Sequence, residues 1–379
     1  MSPAVKRKDV PSYRTTTTYD GPLLEVIDLK TWFNTPRGIV KAVDGVSFTL
    51  EEGKTLGIVG ESGSGKTVLS RSIMNLLPKR AAIPAGGQII FEGTDLRQVT
   101  NKQMRSIWGR EMAMVFQDPM TSLNPVVKIG RQITESLRYH LDLNKAESKE
   151  TAVALLRSVG LPAPERRLSE YPHQLSGGMR QRVTTAIALS CGPRLLIADE
   201  PTTALDVTVQ KQILDLLQTQ QRDRNMGMML ITHDLGVVAN RADDIAVMYA
   251  GQVVERADTP TLFASMRHPY TEALLRSIPR IENRPHTLLE AIPGRPPDLA
   301  NVPVGCRFAP RCRYAQAQCV TENPDLFLAE QPGHEYRCFF PVGTDAGRDA
   351  LAHNSAVGHT ATGTPVSVHG SAAEAELVV

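Results

Sequence analysis

One eight-residue segment constrains this chain more than any other feature: GESGSGKT, residues 60–67. It matches the pattern G-x-x-x-x-G-K-[ST], in which the backbone N–H groups of a glycine-rich loop surround the phosphates of a nucleotide. An apolar run rich in β-forming residues, TLGIVG, leads into the loop, and a helical pattern, KTVLSRSIMNLL, follows it. Strand, loop and helix in this order predict an α/β fold with a nucleotide-binding parallel sheet.

Each residue type in this loop has a physical role toward a nucleotide. Glycines let consecutive N–H groups turn toward one anion, and the start of the following helix adds the positive end of its dipole. We expect Lys66 to reach the β- and γ-phosphates and Thr67 to offer its hydroxyl to Mg²⁺. By chance alone, this pattern would occur in roughly 1% of chains of this length, and it would then be a glycine-rich turn that binds no ligand. The predicted cofactors are ATP and Mg²⁺, and the predicted contacts are Gly60, Ser62, Gly63, Ser64, Gly65, Lys66 and Thr67.

An aromatic side chain before the loop completes the predicted nucleotide contacts. LLEVIDLKTWF and VKAVDGVSFTL alternate apolar and polar residues around a Pro/Gly turn, which predicts an antiparallel hairpin. Phe33, or failing that Trp32, is expected to stack on the adenine ring. An aromatic residue at a strand end is more often simple packing, so this role depends on the neighbouring loop.

Two further apolar strands end in polar side chains. LLIADE ends in Asp199 and Glu200, and MMLITHD reaches His233 in the same way. The carboxyl ends of such strands form the edge of a sheet where ligands bind, so we expect these groups beside the phosphate loop. Asp199 is predicted to hold Mg²⁺, Glu200 to polarise the attacking water and His233 to contact the γ-phosphate. For a single such strand, a solvated terminus would be the preferred interpretation.

Gln117 follows a further strand-like segment, EMAMVF, where the chain enters a helical region. Its amide can donate and accept, and its position at this junction makes it a predicted relay that senses Mg²⁺ and the attacking water. The predicted catalytic residues are Glu200, His233, Gln117 and Lys66. The predicted magnesium ligands are Thr67, Gln117 and Asp199.

The 379 residues predict one large domain with a smaller appendage. Residues 1–20 are polar without periodicity and are predicted to be a flexible arm, and residues 21–282 to be the nucleotide-binding domain. Within it, a helical region covers about 119–190. Residues 283–345 are predicted to form a Pro- and Cys-rich C-terminal domain. Residues 346–379, which lack Phe, Trp and Tyr, are predicted to be disordered, with His353, His359 and His369 in solvent.

The bulk properties exclude several classes of protein. A formal net charge of +2 without a long Lys/Arg block argues against a nucleic-acid partner. No stretch approaches the roughly 18 to 20 apolar residues of a membrane-spanning helix, and MSPAVKRKDVPSYRTTTT lacks an apolar segment after its basic cluster. We therefore expect a chain that is neither exported nor membrane-spanning.

Four of the five cysteines lie in one short stretch near the C-terminus. Four thiolates in a loop-rich segment suit tetrahedral zinc or a 4Fe-4S cluster. The spacing C-x5-C-x6-C-x18-C lacks the tight C-x2-4-C pair usual for structural zinc, which favours the cluster. Disulfides are disfavoured in a cytosolic chain, and free thiols remain an alternative. The predicted ligands are Cys306, Cys312, Cys319 and Cys338, while Cys191 is expected in the core.

The segment LSGGMRQR, residues 175–182, closely resembles the signature motif of ABC ATPases. Ser176, Gly177 and Gly178 open a helix, so they present a hydroxyl and bare N–H groups to an anion. In that family, the signature of one subunit covers the ATP on the phosphate loop of another in a head-to-tail dimer. The resemblance adds these three residues to the nucleotide contacts and places residues 204–206 at the interface.

Met179 in the signature, and the segments IPGRPPDL and GCRFAPRC, resemble the oligopeptide/dipeptide importer branch, whose members can hold an iron-sulfur cluster in this region. The resemblance covers about residues 23–345. It implies an ABC fold (a parallel sheet with helices, an antiparallel β subdomain and a helical insertion) in an ATP-hydrolysing subunit at the cytoplasmic face of the cell membrane. The implied partners are a second ATPase subunit, commonly a paralogue, two transmembrane permease subunits and an extracytoplasmic substrate-binding protein.

Three alternatives remain open. The same ATPase is compatible with import of a nickel chelate, glutathione or an oligosaccharide instead of a peptide. A soluble ABC ATPase of DNA repair would place a long coiled coil before the signature, but Thr67 and Ser176 are 109 positions apart (176 minus 67) without a heptad run, and translation relatives usually carry two nucleotide domains. The third is a regulatory, cluster-sensing binding module with incidental ATPase activity.

Overall fold

The structure is a computed structural model that describes residues 19–78, 81–203, 205–278 and 291–366. Its strands, in chain order, are β1 (Leu24–Thr35), β2 (Gly38–Leu50), β3 (Thr55–Val59), β4 (Ala82–Phe91), β5 (Thr94–Asp95), β6 (Met112–Val115), β7 (Leu195–Asp199), β8 (Gly227–Thr232), β9 (Asp244–Tyr249), β10 (Gln252–Asp258), β11 (Phe327–Leu328) and β12 (Glu335–Tyr336). Its α-helices are α1 (Lys66–Ile73), α2 (Asn101–Ile107), α3 (Pro119–Ser122), α4 (Ile129–Leu141), α5 (Lys145–Ser158), α6 (Pro164–Arg167), α7 (Gly177–Ala188), α8 (Val207–Arg224), α9 (Leu235–Ala239), α10 (Thr259–Ser265), α11 (Pro269–Arg276), α12 (Ala317–Thr321) and α13 (Asp345–Val357).

The strands form two sheets. The smaller is antiparallel, with strand order β2-β1-β4-β5, and it contains the hairpin predicted from the alternating sequence. The larger has eight strands in the order β11-β12-β10-β9-β3-β8-β7-β6. Its strands β6, β7, β3, β8 and β9 pair in parallel and are almost completely buried, as expected for a parallel sheet covered on both faces. The prediction of a mixed α/β architecture, with a parallel sheet and an antiparallel β subdomain, is confirmed.

The parallel strands place their carboxyl ends at one edge of the large sheet. The phosphate loop leaves β3 there, Glu200 follows β7, and His233 follows β8. Because β3, β8 and β7 are neighbours in the sheet, their following residues lie side by side. The sheet thus brings the phosphate loop together with two residues that each lie more than a hundred positions after it in sequence.

The helical region between β6 and β7 has its own apolar core. Helices α4, α5 and α7 pack together through Ile133, Leu137, Leu156 and Val183, all completely buried. Helix α5 begins with a capping box in which Asn144 and Glu147 bond to each other's backbone N–H groups. Across the described ranges, no helix combines the length and apolar character needed to cross a bilayer.

The C-terminal segment is continuous with the nucleotide-binding part in both sheet and core. Strand β12 pairs antiparallel with β10, and β11 extends the same sheet. Phe308, Cys312 and Tyr314 belong to the same apolar cluster as Val59 and Tyr249 of the large sheet. The division into domains 21–282 and 283–345 therefore stays a prediction from composition, since sheet and core run across it.

The sequence-based prediction of disorder for residues 346–379 is wrong for its first part. Residues 345–357 form α13, whose N-cap Thr344 accepts a bond from the N–H of Gly347 at 3.2 Å and whose end is marked by Gly358 in the left-handed region. Buried Asn354 donates from Nδ2 to the carbonyl of Arg313 at 2.9 Å. Composition missed this helix because the polar side chain of Asn354 helps to dock it, together with its few apolar residues, Ala350 and Leu351. His353 and His359 are exposed. Residues 1–18 of the predicted arm and residues 367–379, with His369, lie outside the described residues.

Candidate nucleotide-binding site

The phosphate loop joins β3 to α1 through backbone conformations that favour glycine. Gly63 has a φ of +82° and Gly65, which precedes α1, a φ of +105°. A Cβ at Gly65 would lie 2.1 Å from the carbonyl oxygen of Ala42, and one at Gly60 would lie 2.1 Å from that of Met248. Side chains at these two positions would thus collide with backbone that cannot move aside. Close packing of the loop against β2 and β9 explains the glycines.

Lys66 points its ammonium group back over this loop. Its side chain is only 4% exposed, and Nζ donates to the carbonyl oxygens of Gly60 at 2.7 Å and Glu61 at 3.0 Å. Burial lowers the pKa of Lys66, while the nearby carboxylates of Glu200 and Asp199 raise it in part. The ammonium is thus a partly desolvated cation inside a ring of backbone groups, which is suited to attract phosphate oxygens.

Asp199, the last residue of β7, lies against the start of α1. Its Oδ1 accepts a bond from Thr67 Oγ1 at 3.2 Å and its Oδ2 one from Ser70 Oγ at 3.4 Å. Burial raises the pKa of Asp199, an effect that the Thr67 hydroxyl opposes. The structure therefore brings together the carboxylate and the hydroxyl predicted to hold Mg²⁺, and oxygen ligands of this kind are the ones that Mg²⁺ prefers.

Glu200 is the centre of the polar group at the sheet edge. Its Oε2 accepts bonds from Gln117 Nε2 at 3.0 Å and Thr203 Oγ1 at 2.9 Å, and it lies 3.6 Å from His233 Nδ1. Its Oε1 lies 3.9 Å from Lys66 Nζ. Three of the four predicted catalytic residues, Gln117, His233 and Lys66, thus surround the carboxylate of the fourth, Glu200. The structure adds Thr203, which motif reasoning did not single out.

The backbone of Glu200 is strained in a way that suits a functional role. Its φ of +45° lies in the left-handed region, which costs a residue with a Cβ about 1–2 kcal/mol. Its N–H donates to the carbonyl of Ile231 in β8 at 3.0 Å, so sheet pairing continues one residue past β7. Strain of this kind persists where surrounding bonds hold it, and it is common at active sites. Here the left-handed backbone makes the side chain of Glu200 point in a different direction from that of Asp199.

The aromatic residues of the hairpin lie in β1. Phe33 is half-buried and pairs with Val40. Trp32 donates from Nε1 to Asp44 Oδ1 at 3.1 Å and has the Lys41 ammonium 5.2 Å from its ring centre. Because Trp32 already has these partners within the hairpin, Phe33 is the better placed of the two to meet a base. Its adenine contact remains a prediction. In the loop itself Ser62 is exposed and Ser64 is buried.

The signature residues form the beginning of α7. Ser176 is its N-cap, accepting a bond from the N–H of Met179 at 3.3 Å, and Gly177 and Gly178 are the first two helical residues. A Cβ at Gly178 would lie 2.9 Å from Val209, so this glycine permits close packing against the start of α8. Ser176 and Gly177 are exposed, and α7 packs on α3, α4, α5 and α8. None of the described bonds around Glu200 involves Ser176.

The predicted interface loop lies next to the signature. Residue 204 lies outside the described residues, while Asp206 caps α8 by accepting from the N–H of Val209 at 2.9 Å. Leu205 lies close to Gly177, whose added Cβ would be 3.7 Å from Leu205 Cδ2. The exposed start of α7 and the segment before α8 thus form one surface.

The four clustered cysteines line a single cavity. All four are free thiols, and the backbone N–H of Cys306 donates to the carbonyl of Cys319 at 2.8 Å. Burial raises the pKa of Cys306 to about 11 and raises those of Cys312 and Cys338 well above the usual value. Among the residues that the structure describes, no group of three or more His, Cys, Asp or Glu side chains is arranged to hold a metal ion. Cys191 is buried elsewhere, beside Ser136.

Comparison with known proteins gives two family matches. Residues 43–203 match the family described as "ABC transporter", and residues 254–319 match "Oligopeptide/dipeptide transporter, C-terminal region". The second match begins at β10 and extends through Cys306, Cys312 and Cys319. It therefore includes most of the cysteine cavity and crosses the predicted domain boundary.

Individual proteins resemble the chain over most of its length. It is 52% identical over 305 residues to the oligopeptide transport ATP-binding protein OppD of Bacillus subtilis, covering 80% of this chain and 85% of that protein. It is 47% identical over 329 residues to the dipeptide transport ATP-binding protein DppD of Escherichia coli, covering 87% of this chain and 99% of that protein. Among solved structures, a dimeric post-hydrolysis state of the ATP-binding cassette MJ0796 with ADP and Pi has a TM-score of 0.57 at 25% identity, covering 62% of this chain and 98% of that one.

Proposed function

The chain belongs to the ATP-binding subunits of the oligopeptide and dipeptide ABC transporters, and from this premise we propose how its site hydrolyses ATP. The chain is an ATPase that energises a peptide importer. The proposal concerns which residues carry out hydrolysis, how two sites assemble and what the cysteines hold. Each part rests on a separate feature of the structure and has a separate test.

Glu200 is the general base in this proposal. Two hydrogen bonds to Oε2, from Gln117 and Thr203, fix the plane of its carboxylate. Its other oxygen, Oε1, then faces the side of Lys66, where the γ-phosphate binds. A water held by Glu200 and His233 attacks the γ-phosphorus, the bond to the β–γ bridging oxygen breaks, and the water's proton passes to Glu200. The products are ADP and inorganic phosphate.

The phosphate loop positions the other side of the reaction. Backbone N–H groups of residues 62–67 and the Lys66 ammonium bind the β- and γ-phosphate oxygens. Thr67, Asp199 and Gln117 would hold Mg²⁺, which draws negative charge away from the phosphates as the bridging bond breaks. Phe33 stacks on the adenine. The observation that carries the hydrolysis proposal is the Gln117–Glu200–Thr203 group, because a carboxylate held by two donors is oriented before the nucleotide arrives.

The test is ATPase activity of the full chain purified with its permease subunits, comparing wild type with Glu200→Gln. Loss of a general base lowers the rate by about 10²- to 10⁴-fold, while the amide keeps the shape needed for MgATP binding. Peptide delivered by its binding protein should stimulate the wild type alone. Turnover of the variant within tenfold of wild type would remove Glu200 from this role. Stimulation by another solute, but not by peptides, would be consistent with the ATPase mechanism and would identify that solute, instead of a peptide, as the substrate.

The exposed start of α7 supports a shared site between two ATPase subunits. Ser176, Gly177 and Gly178 present a helix N-terminus that makes no bond to the Glu200 group of its own chain. It would cover the ATP on a second ATPase subunit, a paralogue, above two permease subunits at the cytoplasmic face of the membrane. An extracytoplasmic binding protein would deliver the peptide. Mass spectrometry of the purified complex tests this: two different ATPase subunits are expected, and Ser176→Arg should abolish ATP-dependent closure without reducing ATP binding to the isolated chain.

We also propose that the four clustered cysteines hold a 4Fe-4S cluster, for which the thiols would have to draw closer together, because the described residues contain no group arranged to hold a metal ion. Four free thiols around one cavity supply the ligand number and the soft sulfur donors that such clusters use. Bound there, the cluster would tie together three segments of the chain, those carrying Cys306 and Cys312, Cys319 and Cys338. Anaerobic purification should yield about four iron and four sulfide per chain. A content of about one zinc per chain without sulfide would instead indicate a zinc site. The absence of both iron and zinc would indicate that the cysteines are free thiols.

A further inference from the structure

Arg311, which precedes Cys312, reaches from the cysteine segment to the phosphate loop. Its side chain is 3% exposed although it is charged. Nη1 donates to Glu61 Oε2 at 2.6 Å and Nη2 donates to Glu61 Oε1 at 3.0 Å. These two parallel bonds are the fork geometry of a guanidinium on a carboxylate, which is the strongest and most directional ion pair available to side chains.

Glu61 is the second residue of the phosphate loop, and it is held at three points. Arg311 binds its carboxylate, the Tyr270 hydroxyl accepts from its N–H at 2.8 Å, and its carbonyl accepts from Lys66 Nζ at 3.0 Å. Tyr270 is completely buried in α11. The carbonyl contact joins this residue directly to the ammonium that binds phosphate. Displacement of Glu61 therefore displaces Lys66.

The guanidinium of Arg311 is itself fixed from the other side. Nε donates to the carbonyl of Pro293 at 2.7 Å, Nη1 also reaches the Tyr249 hydroxyl at 3.3 Å, and the group lies 5.8 Å from the Tyr249 ring centre. Burial alone would lower the pKa of Arg311, but the Glu61 carboxylate outweighs it and raises that pKa. The permanently charged arginine thus links three parts of the chain, which are strand β9, residues 292–293 and the phosphate loop.

We propose that Arg311 is a positioning residue for ATP: through its fork on Glu61 it fixes the phosphate loop, so the C-terminal cysteine segment sets the affinity for MgATP. Arg311 does not touch the nucleotide. It also neutralises a carboxylate that would otherwise repel the triphosphate from within the loop. This inference rests on the proposed role of the loop as the ATP site.

The experiment measures KM and kcat for MgATP, and the ATP dissociation constant, for the full chain in its transporter complex. Arg311→Gln breaks the fork and leaves the Glu61 carboxylate unpaired, so KM and Kd should rise about tenfold or more, which corresponds to about 1.4 kcal/mol. The value of kcat at saturating ATP should stay within about threefold, because the Glu200 group is unchanged. Arg311→Lys keeps the charge without the fork and should give an intermediate KM.

Glu61→Gln and the double variant Glu61→Gln/Arg311→Gln complete a double-mutant cycle. The double variant carries no unpaired charge, so its KM should lie below that of Arg311→Gln alone. The matched control is Arg337→Gln, in the same segment and next to Cys338. Arg337 donates to the carbonyls of Val253 and Pro324 and does not bond to the loop, so KM should match wild type.

Two results would overturn the proposal. One is an unchanged KM in Arg311→Gln with a lowered unfolding midpoint, which describes a structural residue; the other is additive effects of the two substitutions on KM. If Arg311→Gln does not fold, Arg311→Lys and Glu61→Gln decide in its place: each should raise KM about threefold or more, and an unchanged KM in both rejects the proposal. Retained ATP binding in Lys66→Ala would instead reject the loop as the ATP site.

Discussion

The nucleotide site and the cysteine cavity lie on the same sheet but are built differently. Around Glu200, charged and polar side chains already bond to one another, with Gln117, Thr203 and Lys66 within 4 Å of the carboxylate. Around Cys312, the neighbours are apolar, including Phe308 and Ala315, and burial keeps the thiol protonated by raising its pKa. The first site is oriented by its own charges before a ligand binds. If the second holds the proposed cluster, its charge would come with the metal, because thiolates form as metal displaces their protons.

This difference predicts how independent the two regions are. A site held by contiguous loop and strand ends should tolerate changes in the cavity, except where Arg311 connects them. A cavity closed by apolar packing should tolerate changes in the catalytic charges. Four substitutions, from the largest expected effect to the smallest, test whether the regions separate in this way.

Lys66→Ala should give the largest effect, because it removes the buried cation that we propose binds the phosphates. Loss of two charge-assisted bonds, at about 1.5–3 kcal/mol each, lowers ATP affinity by roughly 100-fold or more. Titration with a fluorescent ATP analogue measures this, and the metal content of the same sample should equal that of wild type. The matched control is Lys54→Ala, because Lys54 pairs with Asp243 on the surface and its loss should not affect ATP binding. Lost metal in Lys66→Ala would contradict the separation of the two regions.

Cys338→Ser tests the separation from the other side. It removes one of the four sulfurs at the cavity, so bound metal should fall to roughly half or less of the wild-type content. The ATP dissociation constant should rise less than tenfold, because the phosphate loop keeps its own bonds. Cys191→Ser, outside the cavity, should change neither quantity. Loss of ATP binding as large as that of Lys66→Ala would mean that the cavity, and not the sheet edge, holds the nucleotide site together.

Thr203→Val sharpens the account of the Glu200 group. It removes one of two donors to Glu200 Oε2, and a bond to a charged group contributes about 1.5–3 kcal/mol, of which we expect the lower end because the Gln117 donor stays in place. The value of kcat should therefore fall about tenfold, with KM for ATP unchanged. Thr202→Val, one residue earlier, is the control, since it leaves the carboxylate's two donors in place. Equal rates for the two variants would show that Gln117 alone is sufficient to orient Glu200.

Acid should destabilise the C-terminal region through His268, which is completely buried in the apolar cluster beside Phe308. Burial lowers the pKa of His268 to about 3, below its usual value of 6.5. The unfolded chain therefore binds a proton between these values that the folded chain does not, and stability falls as pH drops below 6.5. At pH 5.5 this amounts to about 1.4 kcal/mol. In urea unfolding, the free energy of unfolding of His268→Asn should lose this part of its pH dependence. If wild type and His268→Asn lose equal stability in acid, the pH dependence comes from other residues.

The grouping of most candidate nucleotide-site residues could be predicted because they lie in short continuous segments. The loop before Thr67 and the strand ends at Asp199 and His233 can each be recognised from the residues next to them in sequence. Parallel pairing of β3, β7 and β8 then brings these segments together. Thr203 was the exception: a hydroxyl three residues after a carboxylate is a weak pattern without the left-handed backbone of Glu200. That conformation is specific to the fold.

Long-range polar contacts could not be predicted. Arg311 and Glu61 are separated by 250 positions, and Tyr270 and Glu61 by 209. No local periodicity encodes such pairs, because they depend on how the C-terminal segment lies on the sheet. The same limit explains the error in α13, where Asn354 bonds to the carbonyl of Arg313, 41 positions earlier. Composition shows how much apolar area a segment has, but it does not show which groups form hydrogen bonds with its side-chain amides.

The pairing of β12 with β10 has a consequence for synthesis of the chain on the ribosome. Tyr336 pairs with Glu255, so 81 residues (336 minus 255) must be translated before the sheet edge at β10 finds its neighbour. At about 5–20 residues per second this takes roughly 4 to 16 s. During that interval the nascent protein exposes a strand edge open to pairing with other chains, and for the first 56 residues of it (311 minus 255) the protein has its phosphate loop but lacks Arg311. A ribosome-bound chaperone that shields β10 would therefore act on this protein late in translation.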